Sequence, residues 1–255
     1  MSLNDLLSML ESGDEDLVKK SQYLLGILYM NGSSSQEIEK DDAKSLEYLK
    51  ESWDNGVSDA GLPLASIYYN GSSVEEDNEL ALCYLKKSAK LGFLRSQREL
   101  AKAYLGEKWE GLVKKDIPTG IEWLERAANS GDLVSASYLA DFYYQGEIVE
   151  KDLNLAFDWL VKASESKYGS DINTFDWMAK FYEEGIGTEV DLVQAYKYYD
   201  LTGTSGSDDK ERLSDKMTQD QIDEAIRLSR EWQEKHNTFV PSYDGLEHQP
   251  DGSFR

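Results

Sequence analysis

The chain has 255 residues, 40% of them hydrophobic, which is enough apolar surface for a folded protein but long for one compact core. Only 4 Pro leave a largely helical chain open, and 16 Tyr and 6 Trp against 7 Phe suit a thin core that stays near water. A formal net charge of −22 opposes binding to DNA, RNA or anionic lipid, and a single cysteine excludes an intrachain disulfide.

In chain order, Leu3, Leu6, Leu7 and Leu10 come first, at helical spacing, and predict a capping helix within residues 1–20. Residues 21–205 then repeat a two-part pattern. Its first part is a small residue, Tyr three later and Gly three after that. Gly26-Tyr29-Gly32, Ala65-Tyr68-Gly71, Ala140-Tyr143-Gly146 and Ala179-Tyr182-Gly185 fit, as does Ala101-Tyr104 with its glycine displaced to Gly106. The small residues lie 39, 36, 39 and 39 positions apart.

The second part opens on Asp, with a small residue four later, an aromatic three beyond and a bulky residue next. Asp41, Ser45, Tyr48 and Leu49 give the first copy, and Asp77, Ala81, Tyr84 and Leu85 the second. Asp116, Gly120, Trp123 and Leu124 follow, then Asp152, Ala156, Trp159 and Leu160, then Asp191, Ala195, Tyr198 and Tyr199. The fourth copy has Lys167 where a closing glycine is expected. Steps of three and four put these residues on one helical face, where small ones let two helices approach and large ones fill the space beside them. The glycines suit left-handed C-caps and the aspartates N-caps. Five helical hairpins, an all-α solenoid, are the expected fold. The five tyrosine rings are expected to be buried between helices.

Beyond the repeats, Ser205-Gly206-Ser207-Asp208-Asp209 reads as a break. Thr218 with Gln221 resembles a capping box, and Ile222, Ala225, Ile226, Ser229 and Trp232 form the stripe of a last helix. Residues 206–235 are therefore a C-terminal capping region, and 236–255 an irregular tail.

The pattern resembles the Sel-one-like repeat family, relatives of the tetratricopeptide repeats. Leu25-Gly26-Ile27-Leu28-Tyr29-Met30-Asn31-Gly32 and Asp152-Leu153-Asn154-Leu155-Ala156-Phe157-Asp158-Trp159-Leu160-Val161-Lys162-Ala163 carry the likeness. It implies a right-handed α-solenoid with capping helices at both ends. Two loops depart from it, Gly106-Glu107-Lys108-Trp109-Glu110-Gly111 in repeat three and the polar stretch Ser33–Lys40 in repeat one. Some members pair cysteines within repeats; here Cys83 stands alone.

Signs of catalysis are few. His236 and His248 both fall in the tail, which argues against a zinc site or a Ser-His-Asp triad. Gly185-Ile186-Gly187 lacks the preceding strand of a dinucleotide site. Asp14-Glu15-Asp16 and Glu75-Glu76-Asp77 lack EF-hand spacing and read as helix starts. No cofactor and no metal are expected, and Cys83 reads as an inert thiol. No apolar run is long enough to span a membrane, and Met1-Ser2-Leu3-Asn4-Asp5 lacks the features of a signal peptide, so a cytoplasmic protein, monomeric alone, is expected.

The first helix of each hairpin is expected to line the concave face of the solenoid, where a partner would bind. Positions three before, one after and four after its small residue lie together off the core stripe. They are Tyr23, Ile27 and Met30 in repeat one, then Leu62, Ser66 and Tyr69, then Arg98, Lys102 and Leu105. Ser137, Asp141 and Tyr144 follow, then Asp176, Lys180 and Glu183. From these, Tyr69, Arg98, Lys102, Asp141, Tyr144 and Lys180 are the candidate partner-binding residues, with the convex face or the tail aromatics Phe239, Tyr243 and Phe254 as the alternatives. The resemblance implies an interaction scaffold or adaptor that binds a protein or peptide. An immunity or antitoxin-like protein neutralising a basic toxic effector is the narrower alternative, and an enzyme the third. The negative charge fits either a basic partner or plain solubility.

Overall fold

The computed structural model describes residues 2–34, 38–165 and 172–237, apart from the Ile172 side chain. Lys167, His248 and the tail aromatics lie outside the described residues, as does part of the polar loop in repeat one. Thirteen α-helices form among the described residues. They are α1 (Leu3–Leu10), α2 (Glu15–Asn31), α3 (Asp42–Asp54), α4 (Gly61–Asn70), α5 (Asn78–Lys90), α6 (Leu94–Leu105) and α7 (Ile117–Asn129). After them come α8 (Leu133–Gln145), α9 (Leu153–Ser164), α10 (Ile172–Glu184), α11 (Leu192–Leu201), α12 (Ser207–Ser214) and α13 (Gln219–Lys235). The chain divides into two compact units, Met1–Ala127 and Ala128–Arg255.

Each hairpin is built by the same local chemistry. The carbonyls of Tyr29, Tyr68, Tyr104, Tyr143 and Tyr182 accept the backbone N–H of Asp41, Asp77, Asp116, Asp152 and Asp191 at 2.8–2.9 Å. Those aspartate side chains then accept first-turn N–H groups, as Asp77 does from Leu80 at 2.8 Å, so one residue both ends a loop and starts a helix. The preceding helix closes on glycine in the left-handed region, as at Gly71 with φ 65°. The small positions do what their size allows. A Cβ on Gly26 would stand 2.6 Å from Leu49 Cγ, so only glycine lets α2 and α3 approach this closely. Ser45, fully buried, donates its hydroxyl to the Gly26 carbonyl at 2.8 Å and leaves no polar atom orphaned there.

The core of the first unit runs through Leu49, Leu64 and Ile67 and on through Leu85 and Leu100 to Trp109. In the second unit Leu139, Leu160, Met178, Tyr199 and Leu201 are fully buried. There α8 packs on α9 and α10 on α11, and α13 closes over α11 through Ala225, Ser229 and Trp232. Thr218 and Gln221 make the expected capping box.

Several expectations need correction. Of the five signature tyrosines only Tyr68 is buried, at 7% exposure; Tyr29, Tyr104, Tyr143 and Tyr182 are half-buried. They stand near the ends of their helices, where a tyrosine can bury part of its ring and stay close to water. Tyr29 stacks on Tyr48, Tyr68 on Tyr84 and Tyr182 on Tyr198, with centroids 5.9, 5.7 and 5.9 Å apart. Leu105, placed on the outward column, is buried because it covers the bare Cα of Gly120. The supposed break at Ser205–Asp209 contains the start of α12. His236 caps the end of α13, its ring stacked on Trp232 at 4.0 Å.

Candidate functional site

In the first unit, repeats one and two present the expected outward columns to a cavity of about 290 Å³. Tyr23, Ile27, Met30, Leu62 and Ser66 line it, and Trp109 completes its wall. Trp109 comes from the irregular loop of repeat three. It adopts φ 61°, a conformation that costs a side-chain-bearing residue about 1–2 kcal/mol. Contacts around the indole offset that strain. Its Nε1–H donates to Glu99 Oε2 at 3.1 Å, and its ring meets Tyr69 edge-on at 5.1 Å. The Tyr69 hydroxyl donates to the Glu110 carbonyl at 3.0 Å. Lys108 reaches the same Glu99 oxygen at 2.5 Å. Burial pushes the Glu99 carboxyl up, but the Lys108 and Trp109 hydrogen bonds outweigh it and hold the group below the usual glutamate range. Tyr69 is thus tied to the loop. Arg98 and Lys102, half-buried on α6, also have interactions of their own within the fold.

In the second unit, α8 and α10 bring Asp141, Tyr144 and Lys180 to one region centred on Trp177. Two cavities, of about 180 and 200 Å³, share the half-exposed indole as a wall. Tyr144, Phe181, Lys180, Glu184 and Ile186 line the first with it. Asp141, Ser137 and Thr174 are among those lining the second. The Tyr144 ring lies 5.6 Å from Trp177 and 5.5 Å from Phe181, with Lys151 Nζ 5.2 Å from its centroid. Asp141 accepts Gln145 Nε2 at 3.3 Å. Lys180 binds Asp176 at 2.7 Å, a contact that holds its ammonium above the ordinary lysine value. The turn Gly185-Ile186-Gly187 sets Ile186 in place by docking against the start of α9. A Cβ on Gly187 would stand 1.9 Å from the Leu153 carbonyl oxygen, and φ is 65°, so the position requires glycine.

The remaining column residue, Glu183, serves the fold. It accepts the Tyr199 hydroxyl at 3.1 Å and both guanidinium nitrogens of Arg212 from α12. The Arg212 contact holds its carboxyl below the usual range despite partial burial.

Sequence reasoning missed Glu99 and Trp177. Each lies two positions before the small residue of its repeat, Ala101 and Ala179. That position adjoins the outward columns on a helical wheel, so a wider stripe would have included both. Among the described residues no cluster of His, Cys, Asp and Glu is arranged to hold a metal ion, and no helix is long and apolar enough to cross a membrane.

These hairpins, with an Asp-to-Tyr backbone clasp in every copy, define a helical-repeat protein whose distinctive side chains lie on first helices. The chain belongs to the Sel1 repeat family, whose pattern matches residues 19–57, 64–93, 94–132, 134–168 and 177–207. The fold is the all-α Sel1-repeat solenoid. It is similar to a protective antigen of uropathogenic Escherichia coli displaying an SLR fold, with TM-score 0.62 and 27% identity over 87% of this chain and 48% of that one. The chain therefore spans about half the length of that relative. A Sel1 repeat protein from Oxalobacter formigenes is 20% identical, with TM-score 0.62 and coverage of 90% and 99%. An immunity protein from Pseudomonas aeruginosa is 18% identical, with TM-score 0.52 and coverage of 78% and 72%.

Proposed function

We propose that the chain is a protein-interaction scaffold that binds a partner protein or peptide on first-helix surfaces of its repeats. The observation that carries this reading is the group of half-exposed aromatic side chains, Tyr144 and Trp177, beside cavities in the second unit. Aromatic anchors with polar neighbours are the usual currency of protein recognition. Tyr69, Arg98 and Lys102 in the first unit, and Asp141, Tyr144 and Lys180 in the second, are the proposed contact residues. The role is binding rather than catalysis.

The test compares partner capture from native lysate by the wild-type chain and by Tyr144→Ala/Lys180→Ala. A stoichiometric partner kept by the first and lost by the second, with both melting alike, supports the reading. Equal recovery by both moves the site away from these residues. A narrower reading, neutralisation of a toxic effector, is favoured by the net charge of −22, which suits a basic enzyme. The similar fold of the P. aeruginosa immunity protein supports this narrower reading. Loss of the captured partner's enzymatic activity in the complex is its test.

A further inference from the structure

The chain repeatedly lays its own cations over its own aromatic rings. Lys162 sits 4.5 Å from the Trp159 ring, Arg126 4.6 Å from Trp123 and Lys108 5.5 Å from Trp109. Half-exposed Trp177 has no such cation among the described residues, although it walls two cavities. Each cavity is also lined by a carboxylate: Glu184 in one, whose charge acts on nearby Lys180, and Asp141 in the other, which accepts Gln145. Lys180 lines the first cavity, but Asp176 at 2.7 Å balances its charge. Tyr144 already has Lys151 near its face, whereas the half-exposed indole has ring neighbours, Phe181 stacked at 6.0 Å and Tyr144 at 5.6 Å, that leave part of it open to the cavities.

Resting on the scaffold reading, we infer that the Trp177 cavities receive an arginine or lysine side chain of a basic partner, its cation against the indole and beside Glu184 or Asp141. An indole face attracts a cation through its quadrupole, and guanidinium, weakly hydrated and planar, stacks on it best. An apolar occupant would cover two carboxylates without supplying a counter-charge. A nucleic acid base also stacks on aromatics, but its phosphates would meet those same carboxylates. The chain-wide charge of −22 favours approach of a basic partner to this unit as to any other part.

The experiment uses the full ¹⁵N-labelled chain and reads its indole N–H signals, with that of Trp177 assigned by its loss in Trp177→Leu. The probes are blocked tripeptides, Gly-Arg-Gly and Gly-Lys-Gly, against Gly-citrulline-Gly, which keeps the shape without the charge, and Gly-Glu-Gly. The arginine and lysine peptides are expected to shift the Trp177 signal saturably, with citrulline about tenfold weaker and glutamate inactive. Glu184→Gln and Asp141→Asn should each weaken the arginine peptide several-fold without changing the melting temperature. A citrulline peptide that binds as well as arginine, or a Trp177 signal that stays still, overturns the inference. Shifts confined to Trp109 overturn it while leaving the scaffold reading intact. Arginine binding at Trp177 in a chain that captures no partner would sink the scaffold reading and keep the cation site.

Discussion

At the scale of single residues, burial separates positions that the repeat pattern makes equivalent. Tyr68 is buried and stacked on Tyr84, so Tyr68→Ala should cost about 3–5 kcal/mol, as for other core aromatics. Tyr143 occupies the same repeat position but is half-buried, and Tyr143→Ala should cost about 2 kcal/mol. Denaturant unfolding of the two variants checks that order; equal losses would mean that exposure does not set the cost. Gly187→Ala is a sharper case, because its methyl group would meet the Leu153 carbonyl and φ is positive. A loss of at least about 2 kcal/mol is expected, and a variant as stable as wild type would contradict the close approach. The pattern made the small residues, the capping aspartates and the glycines legible, since each has one steric or hydrogen-bonding reason to be there. It did not reveal that Trp109 takes a left-handed conformation, because its stabilisation comes from Glu99 and Tyr69, remote from it in sequence.

At the scale of elements, α12 is the piece that sequence reading missed. Ser207, Asp208 and Asp209 look like a turn because short polar residues favour turns in isolation. Tertiary contacts decide otherwise. Lys210 of α12, 3% exposed, binds Asp200 of α11 at 2.9 Å, and Asp200 also accepts the Ser229 hydroxyl of α13 at 2.6 Å. Three helices thus meet at one buried ion pair. Lys210→Met leaves the Asp200 carboxylate without its cation and should cost about 3–5 kcal/mol in thermal or denaturant unfolding. A loss under about 1 kcal/mol would mean that the pair does not hold α12 and α13 in place. A second tie, Glu183 to Arg212, carries a pH dependence. The Glu183 carboxyl is held below its ordinary value, so its contribution is fully present above about pH 4.3 and fades as pH falls below that value. Protection of the α12 amides, as exchange relative to the intrinsic rate at each pH, should therefore fall on acidification, and Glu183→Gln should flatten that dependence. An unchanged acid response in the variant would remove Glu183 as its source.

At the scale of the whole molecule, family and fold follow from five repeats in register, whereas function depends on what the first helices carry between the repeated spacings. A charge of −22 should make association with a basic partner fall as salt rises, with dissociation changing less. Stopped-flow association rates that stay flat with salt would remove charge steering. The most direct test is titration of the purified partner against wild type and against Asp141→Ala/Tyr144→Ala, after checking that both melt within a few °C. The account predicts binding weakened by about 2 kcal/mol or more, as when a hot spot is removed; unchanged affinity in a folded variant would contradict it.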